Sequence, residues 1–483
     1  MAYMHGVYIK ESPTPLLVPV PVDSALPVAI GVAPVHRLED PTKAVNNPSM
    51  SYSFAEGVQD MGYSDDWKSF PLSEMLYSQM RIHGISPLVL INIWDPTKNM
   101  HDVAITDLPV VNGVATIDDP MAMISQVEIH NGSSGSYVRG VDYALAYDGD
   151  KLIITIIKSG GIPSTTTTLS LNYKQADLSG VTISDIAGGV NPSTNKRTGI
   201  ELVDEVFLNL RKIPGFLLAP GWSHIPQIAA LLIGKAHNVG YGFTAIALLD
   251  LPTTGDYSNY RALPEWKNNN GYVDPYAFAD WPCVSIGDQI FHASVRLAGM
   301  YGQVDNSHDG LPYEQASNKT LQMTGMCDVD GNVIPTLSED QANYLNENGI
   351  GCFVNYDGWR AWGDESTAYP GNTDIKDYER SVRRMFTYTE NVVNRTMHQV
   401  VDGPITRRLI DKVLLTANEY MNTLKSRNAI IGGFVEFLRA DNNNQGIMSG
   451  QLYFRTHLTP PNAAKALTFD FFYDPDLLSA LFE

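Results

Sequence analysis

Along this chain the spacing of apolar residues changes from segment to segment, and each spacing predicts a different element. The run Pro27-Val-Ala-Ile-Gly-Val-Ala-Pro34 is apolar throughout and bounded by prolines, which suits a short strand buried on both faces. Pro87-Leu-Val-Leu-Ile-Asn-Ile-Trp94 reads the same way, and residues 71–83 between them read as a helix. From about 98 to 197 the pattern turns to Thr, Val, Ile and Gly, with turn pairs at Asn112-Gly113, Asn131-Gly132 and Asp148-Gly149. Asp148-Gly149 lies between Tyr143–Tyr147 and Leu152–Ile156 and predicts a hairpin, with one more strand over Thr165–Tyr173. Past 198 helical and strand periods alternate: a helix at 201–211, a strand at Phe216–Ala219, a helix at 225–238 and a strand at Thr244–Leu249. That order implies a parallel or mixed sheet covered on both faces and interrupted by an all-β insertion. Helices at 376–399 and 406–426 follow. In the second, Leu409, Ile410, Val413, Leu414, Ala417, Met421 and Leu424 form one apolar stripe.

The two ends follow another pattern. Residues 1–24 carry Pro13, Pro15, Pro19 and Pro21 among Val7, Tyr8, Ile9, Leu16, Leu17 and Val18. Each proline fixes φ, removes an N–H and pushes the preceding residue toward extended geometry, so this is an apolar, strand-like arm. After Pro460-Pro461, the residues Leu467, Phe469, Phe471 and Tyr473 share one face at a two-residue period. Two such arms, 1–24 and 461–483, suit addition to the sheet edge of a neighbouring molecule. An arm of 24 residues reaches at most roughly 80 Å.

With 483 residues the chain exceeds one hydrophobic core, and 44% apolar with 18% charged residues is a globular composition. A formal charge of -20 disfavours nucleic acid or an anionic membrane as partner. Neither a secretory leader nor a membrane-spanning run is legible. Cys283, Cys327 and Cys352 are widely spaced without a CxxC, which excludes a plausible zinc site and favours a reducing cytoplasm.

Catalytic motifs fall short. Ser223 stands in Gly221-Trp-Ser-His-Ile225, where a nucleophile elbow needs glycine at 225, and it reads instead as the cap of the next helix. Asp250 with His224 or His237 would complete a triad only on paper. Lys235 follows Gly234, but Ala229 stands where a phosphate-binding loop needs glycine. His36 and His83 read as ordinary residues, and Trp359 and Trp362 as packing anchors at an interface. No catalytic, metal or cofactor site is expected.

Taken together, His5-Gly-Val-Tyr-Ile-Lys-Glu11 with the proline-rich arm, Ala25–His36, Gly140-Val-Asp-Tyr143, Phe216–Gly221, Ala298-Gly299 through Asn318, Trp359-Arg-Ala-Trp-Gly363 and Ala429-Ile-Ile-Gly-Gly433 resemble, in order and spacing, the sheath proteins of contractile phage tails and related injection particles. The resemblance implies an α/β core, subtilisin-like in fold, over 25–97 and 198–370. It further implies a β-rich insertion over 98–197, an α+β domain over 371–460 facing the tail tube, and arms that complete a sheet shared between subunits. Val7, Tyr8, Ile9, Leu16, Val18, Leu467, Phe469, Phe471 and Tyr473 would carry that pairing. Implied partners are further copies of the chain in hexameric rings, the tube protein, and baseplate and terminator proteins, without nucleic acid, membrane or cofactor. Assembly would take place in the bacterial host cytoplasm, and the product would be a tail or injection particle that contracts once. The segments 268–281 and 441–450 depart from the pattern. An α/β hydrolase with a β-sandwich accessory domain, and a glycan-binding particle protein, are the alternatives.

Ten Lys and Arg lie between Lys376 and Arg427, a basic zone in an acidic chain. Within it Arg407, Arg408 and Lys412 read either as a solvated helix face with Asp411 and Glu419 or, together with Lys425 and Arg427, as the contact for an acidic tube that the resemblance implies.

Overall fold

The computed structural model describes residues 18–132 and 135–481. Its centre is an eight-stranded sheet in the order Ser49–Ser51, Leu88–Asn92, Pro27–Gly31, Phe216–Leu218, Ile246–Asp250, Ala277–Asp280, Ile350–Asn355, Trp359–Trp362. The six inner strands are parallel and an antiparallel strand closes each side. Pro27–Gly31, Leu88–Asn92 and Ile246–Asp250 are buried at every position, as an unbroken apolar run requires when helices cover both faces. The helices Pro71–Tyr77, Pro226–Ala236 and Ala293–Asn306 supply that cover. Two of them open on proline at the first helical turn, where the missing N–H costs no hydrogen bond.

Between Leu88–Asn92 and Phe216–Leu218 the chain builds two three-stranded antiparallel sheets. One joins Met100–Pro109, Thr168–Ala176 and Ala122–Ile129; the other joins Val114–Ile117, Lys151–Ile156 and Tyr143–Asp148. Ile117, Ile129, Leu152, Ile154, Leu169 and Leu171 enclose a separate core. In the hairpin Asp148 pairs with Lys151, so the loop is Gly149-Asp150, one residue later than the sequence pair suggests. Gly149 takes φ 59°, the left-handed value that primed hairpin turns need at their first central residue.

The last part of the chain packs the helices Arg380–Met397 and Arg407–Ser426 under a hairpin of Gly432–Glu436 and Arg455–Thr459. Met385, Tyr388, Val392, Ala417, Met421, Leu424, Ile430 and Val435 form its core, joined by Leu311. Thr406 caps the second helix by accepting from the Leu409 N–H. The packing does not break at residue 370. Arg380 is ion-paired with Asp280 at 2.9 Å and Arg384 with Asp305, all with side chains no more than 2% exposed. Arg383 lies against Asp377 and Glu390. Three members of the basic zone are therefore interior charges neutralised by acids.

Candidate assembly surfaces

From residue 461 to 474 the chain has no regular structure, and only a 3-10 turn, Pro475–Leu481, follows. Leu467, Phe469, Phe471 and Tyr473 are 75%, 75%, 91% and 80% exposed. The strand expected there does not form within this one molecule, because a strand needs a ladder partner and none is in reach. Four apolar side chains are thereby held in water on one segment, and burying each would be worth about 2 kcal/mol. Val18 is exposed as well. Val7, Tyr8, Ile9 and Leu16 lie outside the described residues.

The Gly432–Glu436/Arg455–Thr459 hairpin precedes this segment along the chain. It is a two-stranded sheet, and among the described residues no third strand joins either edge. Two strands alone are marginal in water, and each free edge presents unpaired N–H and C=O groups. Val435 packs inward while Phe434 on the opposite face is half exposed and stacks on His457 at 4.3 Å.

Both arms leave the body later than sequence alone implies. At the N-terminal side the Val20 N–H donates to Thr396 Oγ1 at 3.0 Å, Arg395 donates to the Pro21 carbonyl at 3.1 Å, and Asp23 pairs with Lys212 at 2.7 Å. Residues 20–24 are thus part of the folded body, a correction to an arm running to 24. At the C-terminal side Lys465 reaches Glu365 at 2.6 Å and Glu379 at 2.9 Å, beside an open cleft of about 1100 Å³ that Trp362 also lines.

Of the five outward cations expected at the tube, Arg407, Arg408, Lys425 and Arg427 are exposed and Lys412 is half-buried. Arg407 is paired with Asp411 at 2.9 Å. Lys412 and Lys425 stand about 140° apart around the helix and about 20 Å apart along it, at 100° and 1.5 Å per residue. The structure therefore brings Arg408 and Lys412 together on one face and separates them from Lys425 and Arg427.

No triad forms. Ser223 is fully buried, and its hydroxyl donates straight to the Asp250 carboxylate at 2.9 Å with no imidazole between. The same carboxylate accepts from the Ser294 N–H and hydroxyl, and the Asp250 N–H donates back to Ser223. This network ties a strand end to the start of the Ala293–Asn306 helix. It also corrects the reading of Ser223 as a cap, since the helix Pro226–Ala236 has no side-chain cap. His237 sits on Asp274 and Lys235 on Glu201 and Asp204. Burial lowers the His36 pKa to about 3 and that of His83 to about 4, so both are neutral packing residues. Among the described residues no cluster of His, Cys, Asp or Glu could hold a metal ion, and no helix is long and apolar enough to cross a membrane. The three cysteines are buried and unpaired.

An exposed apolar segment thus follows a hairpin with open edges. The chain is 28% identical to the tail sheath protein of Burkholderia phage BcepMu over 97% of its own length and 96% of that protein. It is similar to tail sheath proteins. The tail sheath protein of Escherichia phage P2 matches at 28% identity over 40% of this chain and 47% of its own length. Among solved structures, the sheath complex of the extracellular contractile injection system PVC in its contracted state superposes with a TM-score of 0.59 at 14% identity, covering 99% of both chains. The helical sheath of the anti-feeding prophage in its contracted state gives 0.59 at 13% identity, covering 97% of this chain and 99% of that one. No family model matches the chain. The sheath relatives thus share a mixed α/β fold with it along nearly the whole length, and like them it is a structural protein rather than an enzyme.

Proposed function

We propose that this chain is the structural subunit of a contractile tail sheath. It polymerises as stacked hexameric rings around a tail tube and contracts once, driving the tube through the target cell envelope. The observation that carries the reading is the match to a tail sheath protein along 97% of the chain, joined to an exposed apolar arm and a hairpin with open edges.

In this reading residues 467–473 of one subunit, and residues in the first 18 of another, add as strands to the Gly432–Glu436/Arg455–Thr459 hairpin of a third. Main-chain pairing supplies affinity, and the alternation of Leu467, Phe469, Phe471 and Tyr473 fixes register by burying one face. A head-to-tail contact of this kind does not close on itself and propagates as a helix. The core over 25–97 and 198–370, subtilisin-like in kind, and the insertion over 98–197 are the bodies that re-dock on contraction. The α+β unit over 371–460 faces the tube, with Arg408 and Lys412 as its first contacts. Exposed charge pairs suit a sleeve that grips and then releases, because each is weak and breaks at little cost. Baseplate and terminator proteins bound the sleeve at its ends, and assembly precedes release from the host cytoplasm.

No observation favours a hydrolase, and Ser223 is out of reach of any substrate. Negative-stain imaging of the purified protein tests the proposal. Helical sleeves with six-fold rings are expected, and loss of them on deletion of residues 466–483. A strictly monomeric species at high concentration, with Ser223 labelled by an active-site serine probe, would overturn it.

A further inference from the structure

One helix meets the roots of both arms. Glu379 is the residue before Arg380–Met397, and its carboxylate takes the Lys465 ammonium of the C-terminal arm at 2.9 Å. At the other end of the same helix Thr396 accepts from the Val20 N–H and Arg395 donates to the Pro21 carbonyl, both on the N-terminal arm. Pro19 lies in a small pocket with Val392, Thr396 and Tyr420. The helix has 18 residues, so its ends are about 27 Å apart.

This helix is fastened to the body along its length. Arg380 pairs with Asp280, Arg384 with Asp305, and the Asn391 side chain both accepts from the Thr244 N–H at 3.0 Å and donates to the Thr244 carbonyl at 2.8 Å. Asp305 also accepts from the Ser24 hydroxyl, so one buried acid serves the helix and the N-terminal root together.

The seat of Lys465 is more than a surface ion pair. Glu379 is 1% exposed, Glu365 contributes a second carboxylate, and the Tyr378 ring lies under the ammonium at 5.2 Å. Asp364 adds a third carboxyl whose buried Oδ1 has no hydrogen-bond partner, and its pKa is pushed up to about 6 by burial, then by Glu379 and Glu365. Arg380, the next residue in the chain after Glu379, is committed to Asp280 and to the Glu365 and Ala279 carbonyls. Among the described residues Lys465 is the one cation within ion-pair distance of Glu379, so withdrawing it leaves a buried carboxylate with no ion-pair partner and only the Gln315 amide, at 2.9 Å, donating to it.

We propose that the Arg380–Met397 helix is a strut that sets the spacing between the two arm roots, and that the Glu365/Glu379 seat is a binding site for the Lys465 ammonium that pins the C-terminal arm to its own body. The free part of that arm then begins at Ala466, and the linkage between subunits is set by two fixed exits on one rigid element. The anchoring stands on its own geometry; its consequence for the sleeve rests on the sheath reading.

The test uses the full-length soluble chain with spin labels at Val18→Cys and Ala466→Cys, the three native cysteines being buried. One narrow distance distribution by pulsed electron resonance is expected for this pair and for Lys465→Arg, and at least a two-fold broader one for Lys465→Gln. A parent distribution already as broad as that of Lys465→Gln, or a Lys465→Gln distribution as narrow as the parent's, would overturn the proposal. In parallel, imaging should show shorter and irregular sleeves for Lys465→Gln, restored by Lys465→Arg. If the parent makes no sleeves while the label distances behave as expected, the sheath reading fails and the anchoring stands.

Discussion

Asp280 lies 2.9 Å from Arg380, a hundred residues along the chain, and both side chains are 2% exposed. The acid ends an interior strand and the guanidinium opens the helix that carries the arm roots, so this pair joins the central sheet to the C-terminal unit. Gly351 on the adjacent strand makes room for it, since a Cβ there would stand 1.8 Å from Asp280 Oδ1. Breaking a buried pair strands a charge, whereas replacing both partners with apolar groups does not. Arg380→Met and Asp280→Leu are each expected to lose about 3–5 kcal/mol in urea unfolding of the soluble subunit, and the double variant less than either alone. Equal losses for all three would argue against the pair.

The buried histidines set the acid side of stability. His36, fully buried, donates Nε2–H to the Pro120 carbonyl at 2.8 Å, and burial holds its pKa near about 3. Its folded pKa is depressed below the unfolded value of about 6.5, so the unfolded chain takes the proton first and stability falls as pH drops below that point. His83, at about 4, acts in the same sense. Each contributes a slope of about 1.4 kcal/mol per pH unit. His36→Gln is expected to flatten the decline in urea midpoint between pH 6.5 and 4.5.

His292 has the opposite sign. Burial works against its charge, but the Glu74 carboxylate at 2.7 Å overcomes this and raises the pKa to about 9. The stability it contributes is complete below about pH 6.5 and is lost as pH rises toward 9. Glu74→Gln is expected to remove that alkaline decline. An unchanged slope between pH 7 and 9 would mean the pair does not govern it.

A volume test separates packing from assembly. A Cβ on Gly299 would meet His83 Cδ2 at 2.2 Å, in the middle of the Ala293–Asn306 helix. Gly299→Ala gains helix propensity but forces the imidazole aside, and overpacking of this kind costs about 1–3 kcal/mol. A lower melting temperature is expected, with sleeves of normal form from the protein that remains folded.

What sequence made legible was local. The runs at Pro27–Gly31 and Leu88–Asn92 read as buried strands because a parallel strand covered on both faces has no polar side, and the stripe Val413, Ala417, Met421, Leu424 is the buried face of its helix. What it hid depended on distant partners. Arg380 and Arg384 read only as members of a basic zone because their acids lie 100 and 79 residues away. Ser223 read as a cap because the neighbouring helix was visible, whereas its true partner Asp250 ends a strand 27 residues on. Leu467 to Tyr473 has the period of a strand, but among the described residues no ladder partner meets it. Lys465 gave no signal at all, since a lone lysine after a proline pair is unremarkable until Glu379 is found beneath it.

Arg408 and Lys412 are one turn apart on the outer face of the Arg407–Ser426 helix, while Arg407 is engaged with Asp411. If this turn grips an acidic tube, reversing both charges to glutamate converts attraction into like-charge repulsion without touching the buried stripe. Soluble, folded subunits are expected, together with tail tubes that lack sheaths. Reversal of Lys425 and Arg427, on another side of the helix, should have the smaller effect. Because exposed pairs are screened within about 10 Å at 0.1 M salt, the parent's grip should also weaken with ionic strength. Sheathed tubes at normal yield from the Arg408→Glu/Lys412→Glu chain would place the tube contact elsewhere on the C-terminal unit.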